Sequence, residues 1–181
     1  GGVPLYLEQI HPELTSEDNI KALCFTKGGL LVKEFEHIFS DLFSRRSPVY
    51  KKIVEALADG PKTVLEIQTS LKKNKGGTFT KYLNDLVLAG YVKRDFTWIL
   101  KTAKLSTFSK YRLSDNYLRF YLKYIAPNQP AIQNNFFAYT SLTSLPGWEI
   151  IMGLQFENLV IHNRPTLWHM IGVTPQDIVI E

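Results

Sequence analysis

Between Tyr50 and Leu113 the sequence sets out three short amphipathic helix patterns and then two strand patterns, and few architectures accept that order. Tyr50, Ile53, Val54 and Leu57 recur at helical spacing and are stopped by Asp59-Gly60-Pro61. Thr63 and Glu66 have capping-box spacing, opening a second helix that buries Val64, Ile67 and Leu71. A polar turn from Lys72 to Gly77 follows, and Thr78 or the glycine before it can cap a third helix. That helix carries Phe79, Tyr82, Leu83, Leu86 and Val87 on one face, and Gly90 is placed to end it in the left-handed conformation. Tyr91 to Phe96 then predicts a strand, a loop holds Lys101 and Lys104, and Lys110 to Leu113 predicts a second strand. Three helices followed by a β-hairpin is the winged helix-turn-helix order.

Charge singles out the same stretch. Residues 50–112 hold 13 Lys and Arg against 5 Asp and Glu, a net of +8, while residues 1–49 and 113–181 each net −2. The chain's overall +4 therefore hides a field of one sign confined to one module, which is a footprint of nucleic-acid binding. Lysine-rich faces also serve solubility alone, so charge by itself weighs the two evenly. A chain of 181 residues that is 45% hydrophobic and 21% charged is neither disordered nor low in complexity. No run of about 18 apolar residues predicts a membrane span, and GGVPLYLEQI is not a signal peptide. The single cysteine, Cys24, fits a core position and a reducing, cytoplasmic setting.

The flanks are helical by pattern. Pro4 suits the first turn of a short helix, Thr15 and Asp18 cap another carrying Ile20, Leu23 and Cys24, and Gly28-Gly29 interrupts. Phe35, Ile38, Phe39 and Leu42 form a clean apolar stripe, and Phe43 to Pro48 predicts a connection. Beyond the wing, Asp115 caps a helix with Leu118, Tyr121, Leu122 and Ile125 that is expected to stop before Pro127. Residues 126–145 predict a loop or short turns, and a last helix near Pro146 aligns Met152, Phe156, Leu159 and Val160. Asp177 to Glu181 has the pattern of a strand without downstream partners, so a fragment of a longer protein is expected. The aromatics Tyr117, Phe120, Tyr121, Tyr124 and Phe136-Phe137-Ala138-Tyr139 can stack on bases, but beside Leu118 and Leu122 they are expected to join domains as core.

These pieces carry a resemblance. GGVPLYLEQI (Gly1 to Ile10) and the stretch from Asp18 to Glu36 resemble the helical lid of archaeal-type AAA+ ATPases. YKKIVEALADGPKTVLEI (Tyr50 to Ile67) and FTKYLNDLVLAGYVKR (Phe79 to Arg94) resemble that family's winged helix. YRLSDNYLRFYLKYIAPN (Tyr111 to Asn128) resembles its element after the wing, and GLQFENLV (Gly153 to Val160) the first helix of a C-terminal domain similar to restriction endonucleases. The resemblance implies a mainly α chain with a small β-wing: a lid remnant (1–47), a winged helix-turn-helix (48–114), a connecting helix and loop (115–145), and the start of a truncated nuclease-like α/β domain (146–181). It implies an ATPase as parent protein, with ATP and Mg as its cofactors. The fragment itself is expected to bind no cofactor and to catalyse nothing, because it has no phosphate-binding loop and ends before any metal-holding Asp and Glu-x-Lys strands.

The implied function is a C-terminal regulatory and DNA-binding region, its winged helix touching double-stranded DNA mainly through phosphates. The alternative is an interaction module that packs on the ATPase core of the same chain or of a neighbouring subunit. With its apolar face buried, the third helix presents Thr78, Thr80, Lys81, Asn84 and Asp85. Lys81 can neutralise a phosphate, and Thr80 and Asn84 can reach base edges. Lys72, Lys73 and Lys75 lie in the preceding turn, Lys93 and Arg94 on the first wing strand, Lys101 and Lys104 in the wing loop. With one strong base-reading side chain and no arginine on the helix face, backbone affinity is expected over sequence specificity. Glu157 is the one candidate acid of a nuclease-like helix, with a solvated helical glutamate as the plainer reading. His11, His37, His162 and His169 have no metal-ligand spacing, so no metal site is expected.

Overall fold

Helix-start and helix-stop chemistry sets the element boundaries. The computed structural model describes residues 3–43, 46–72, 77–99, 101–137 and 141–173, apart from the side chains of Gly77 and Thr78. Pro4 opens α1 (Pro4–Leu7), where its missing N–H leaves no helix bond unmade. Thr15 caps α2 (Ser16–Cys24) by accepting from the Asp18 amide at 3.1 Å. The chain then reverses into α3 (Leu30–Phe43). A Cβ at Gly29 would sit 2.6 Å and 2.7 Å from the Leu23 and Ala22 carbonyl oxygens, so only glycine allows this close reversal.

The middle segment has the order read from its sequence. It runs α4 (Ser47–Ala56), α5 (Val64–Ser70), α6 (Gly77–Leu88), β1 (Val92–Ile99) and β2 (Lys104–Leu113). The Thr63–Glu66 capping box opens α5, and Gly90, at φ +81°, turns the chain from α6 into β1. The strands pair antiparallel, from Val92 opposite Leu113 to Ile99 opposite Lys104, with an irregularity between Phe96 and Trp98. Lys62 adds an isolated antiparallel bridge at the base of this wing, exchanging backbone bonds of 2.9 Å and 2.7 Å with Tyr111. The chain is mainly α with a small β-wing. Both strands run further than the sequence pattern predicts, because the outer wing lies beyond the core and has no alternating burial to mark it.

After the wing, Asp115 accepts from the Leu118 amide at 2.7 Å to cap α7 (Asn116–Phe120). Burial nonetheless holds the Asp115 carboxyl above its ordinary value. A π turn (Tyr121–Ile125) leads straight into α8 (Ala126–Gln133), so the expected stop before Pro127 does not occur. The wider i→i+5 turn resets the bonding frame, and Pro127 falls in the first turn of a new helix, where it needs no donor. A 3-10 turn (Leu142–Ser144), α9 (Trp148–His162) and α10 (Arg164–Met170) complete the described chain. Residues 177–181, which carry the strand pattern, lie outside it.

The buried side chains form one cluster drawn from α2 through α9. Aromatic rings bridge its parts: Phe35 stacks on Tyr121 at 4.4 Å, Phe43 on Tyr50 at 4.0 Å, and Phe39 meets Tyr91 at 6.2 Å. Tyr121 and Tyr124 are buried and Tyr117 and Phe120 half-buried, which is the core role read for them, whereas Phe136 is exposed. Ala138 and Tyr139 lie outside the described residues. Leu42, placed on the α3 stripe by its spacing, is exposed, and Phe43 fills the space beside Tyr50 instead. Cys24 is buried, which pushes its thiol up to about 12 and leaves it unreactive.

Glu17 latches the 3-10 turn to α2. Its carboxylate pairs with Lys21 at 2.9 Å and accepts the Leu142 amide at 2.9 Å. Those contacts, the lysine first, hold its pKa below the ordinary carboxylate value. A lowered folded pKa means the latch is complete above that ordinary value and is lost as pH falls through the lowered one. In an NMR titration the Leu142 amide is therefore expected to shift only below the usual carboxylate range. A midpoint at the usual value would show that the latch does not form.

α9 departs most from its sequence pattern. Met152, Phe156, Leu159 and Val160 align at helical spacing, yet Phe156 and Leu159 are 65% and 56% exposed. The docked line is Ile151, Leu154 and Asn158, with Met152 of the aligned set half-buried against the core beside it. This helix is apolar on nearly every side, so periodicity selects no face, and a polar residue does. The Asn158 amide donates to the Ser114 carbonyl at 3.2 Å and to Asn116 Oδ1 at 2.9 Å, while its oxygen accepts from the Arg112 guanidinium.

Candidate nucleic-acid interface

The candidate interface starts from how α6 divides its residues. Phe79, Leu83 and Leu86 point into the core, and Thr80, Lys81 and Asn84 stand exposed on the other side. Thr78 has no described side chain. Asp85, assigned to the outer face by spacing, is drawn inward: the Tyr50 hydroxyl donates to its Oδ2 at 2.6 Å. Burial first, and then this bond, push the Tyr50 hydroxyl up to about 12, so it remains a donor at neutral pH. The bond is also electrostatic housekeeping, because it turns the one carboxylate of this helix away from the face a phosphate would approach.

The remaining predicted residues flank that face in sequence. Lys72 is exposed at the end of α5 with φ +50°, and Lys73 and Lys75 lie outside the described residues. Lys93 is half-buried on β1. Arg94 is exposed: its Nε donates to Ser109 Oγ at 2.9 Å, and its guanidinium lies 4.6 Å over Phe96 and 5.5 Å over Tyr111. Lys101 sits in the hairpin turn, and Lys104, placed in the loop by sequence, is the exposed first residue of β2.

Formal charge overstates what is available. Lys51 pairs with Glu36 at 2.5 Å, Lys62 donates to the Ala56 carbonyl at 2.5 Å, and buried Arg112 is held by Asp95 at 2.6 Å. The exposed cations of the described module include Lys72, Lys81, Lys101, Lys104 and Lys110. An exposed ammonium on a flexible stem neutralises a phosphate without demanding geometry, so these residues suit the backbone contacts expected of them. Sequence reading missed the apolar outer wing, where Phe96, Ile99, Leu105 and Phe108 are exposed. Its signal was there: apolar residues stand close together on two strands with too few helices to cover them.

Other sites are poorer candidates. A cleft of about 410 Å³ where α1, α3 and the start of α7 meet is lined by Tyr6, Glu34, Tyr91, Asp115 and His162 among others. Its lining has two carboxylates and neither lysine nor arginine, which disfavours a phosphate-bearing ligand. Glu157 is exposed on α9, and among the described residues no group of three or more His, Cys, Asp or Glu is placed to hold a metal ion. No helix among the described residues is long and apolar enough to cross a membrane.

No family model matches the chain, and no solved structure matches it. It is similar to an uncharacterized protein of Methanocaldococcus jannaschii, 32% identical over 136 residues. That stretch is 75% of this chain and 30% of the relative, so the chain spans under a third of the archaeal protein it matches.

Proposed function

We propose that this chain is a DNA-binding region of a larger AAA+-type ATPase, with its winged helix docking on duplex DNA mainly through phosphates. The open outer face of α6 carries this reading: Thr80, Lys81 and Asn84 are exposed while the helix's carboxylate is turned away by Tyr50. The wing lysines add positive charge to the same segment of the chain, and without a bidentate arginine on α6 the contacts favour backbone over sequence. ATP and Mg belong to the parent protein's core, which this region would serve by positioning DNA or by transmitting nucleotide state. Glu157 stays the candidate acid of a nuclease-like helix in that parent. The contrary reading, a module that packs on the ATPase core or a neighbouring subunit, draws support from Leu88, 85% exposed at the end of α6.

Fluorescence anisotropy with a labelled duplex separates them. Binding is expected at ~50 mM salt, with affinity falling ~10-fold or more by ~200 mM as counterion release becomes less favourable. The double substitution Lys81→Ala/Lys101→Ala is expected to lower the salt slope by about two, roughly one for each phosphate no longer neutralised. Absence of binding at low salt, or an unchanged slope in the double variant, rejects this surface and favours the interaction module.

A further inference from the structure

The outer half of the wing has an exposure pattern that phosphate contacts do not explain. Phe96 and Ile99 on β1 are 39% and 41% exposed, and Leu105 and Phe108 on β2 are 61% and 53% exposed. Trp98 stands opposite Leu105, past the level at which Val92, Tyr111 and Leu113 enter the core. Two strands alone do not shield such a surface from water, so an apolar patch here is a contact site in waiting.

Charge says what kind of partner fits. Besides Arg112, residues 92–113 hold five Lys and Arg and one Asp, and that Asp, Asp95, is already engaged by Arg112. Exposed Lys101 and Lys104 stand at the tip of this hairpin, and Lys110 lies opposite Asp95 nearer its base. The Arg94 guanidinium, held by Ser109 and 4.6 Å from the centre of the Phe96 ring, adds a positioned cation. A ligand for this surface must be strongly anionic and also offer flat apolar faces. Unpaired nucleotides do both, whereas the bases of an intact duplex hide their faces in the stack.

We infer that the outer wing binds unpaired bases at a junction between duplex and single-stranded DNA, stacking them on Phe96 and Trp98 while the lysines at the hairpin tip hold phosphates. The inference rests on the DNA reading above and names the form of DNA preferred. α6 and the wing lysines keep the duplex phosphates, and the aromatic face of the outer wing takes the strand that leaves the duplex.

The test uses the whole chain and three labelled DNAs: a blunt duplex, the same duplex with a single-stranded tail of about ten nucleotides, and the tail strand alone. The tailed duplex is expected to bind about tenfold tighter than the blunt one for each base stacked. Phe96→Ser/Trp98→Ser is expected to bring the two affinities together and leave blunt-duplex binding unchanged, while Lys81→Ala weakens both alike. A 2-aminopurine at the first unpaired position should be quenched by the unsubstituted chain, which reads stacking without any variant. Equal affinity for blunt and tailed DNA, or unquenched 2-aminopurine, overturns the inference and leaves the duplex reading standing. Failure to bind any of the three removes both, and a protein partner then becomes the occupant of the patch.

Discussion

Phe39→Ala is expected to destabilise the chain by about 4 kcal/mol, near the upper end for deleting a buried ring. Phe39 is fully buried, and its ring meets Phe35 at 4.8 Å, Phe43 at 5.7 Å and Tyr91 at 6.2 Å. It thus joins α3 to the turn that starts the wing. Neighbours held by their own helices cannot collapse into the space, so the missing burial and the remaining cavity both count. Because the ring is shared between the helices before residue 47 and the winged helix, urea unfolding followed by circular dichroism should keep one transition that moves to lower denaturant. Two separated transitions in the variant, with only one displaced, would show that the N-terminal helices and the winged helix have independent cores.

On α9, a polar residue is expected to matter more than an aromatic one. Asn158→Ala should cost about 3 kcal/mol, because it strips a buried guanidinium of an acceptor and leaves the Ser114 carbonyl without its side-chain donor. Asp95 still holds Arg112 Nε at 2.6 Å, which limits the damage. Phe156→Ser, at a position 65% exposed, should change stability by less than about 0.5 kcal/mol. Thermal melts of the two variants check this contrast. A larger destabilisation from Phe156→Ser than from Asn158→Ala would mean that the other face of α9 is the docked one. The network also ties the wing to α9, since Arg112 and Asp95 lie on β2 and β1.

How much was legible varies with the range of the interaction involved. The Thr63–Glu66 capping box and the inward face of α6 are local, and both are present as read. The Tyr50–Asp85 bond joins residues 35 apart, and nothing near Asp85 in sequence distinguishes it from its exposed neighbour Asn84. Pro127 is a sound stop signal in an α-helical frame, and the π turn before it changes the frame. At the candidate interface, residue types and approximate positions were readable, including the lysines of the turn and wing. Lys51, Lys62 and Arg112 counted equally in the charge sum, yet all three are engaged within the protein.

From residue order alone come the three helices and hairpin, the capping box that opens the second helix, and the concentration of positive charge in the middle of the chain. Those follow from spacing and capping, forces that act within one or two turns of backbone. Which side of α9 is buried, which carboxylate leaves the outer face of α6, and how far the wing stands clear of the core came from tertiary structure. Each depends on which distant elements meet, because burial and ion pairing are decided by neighbours in space and only weakly by neighbours in sequence.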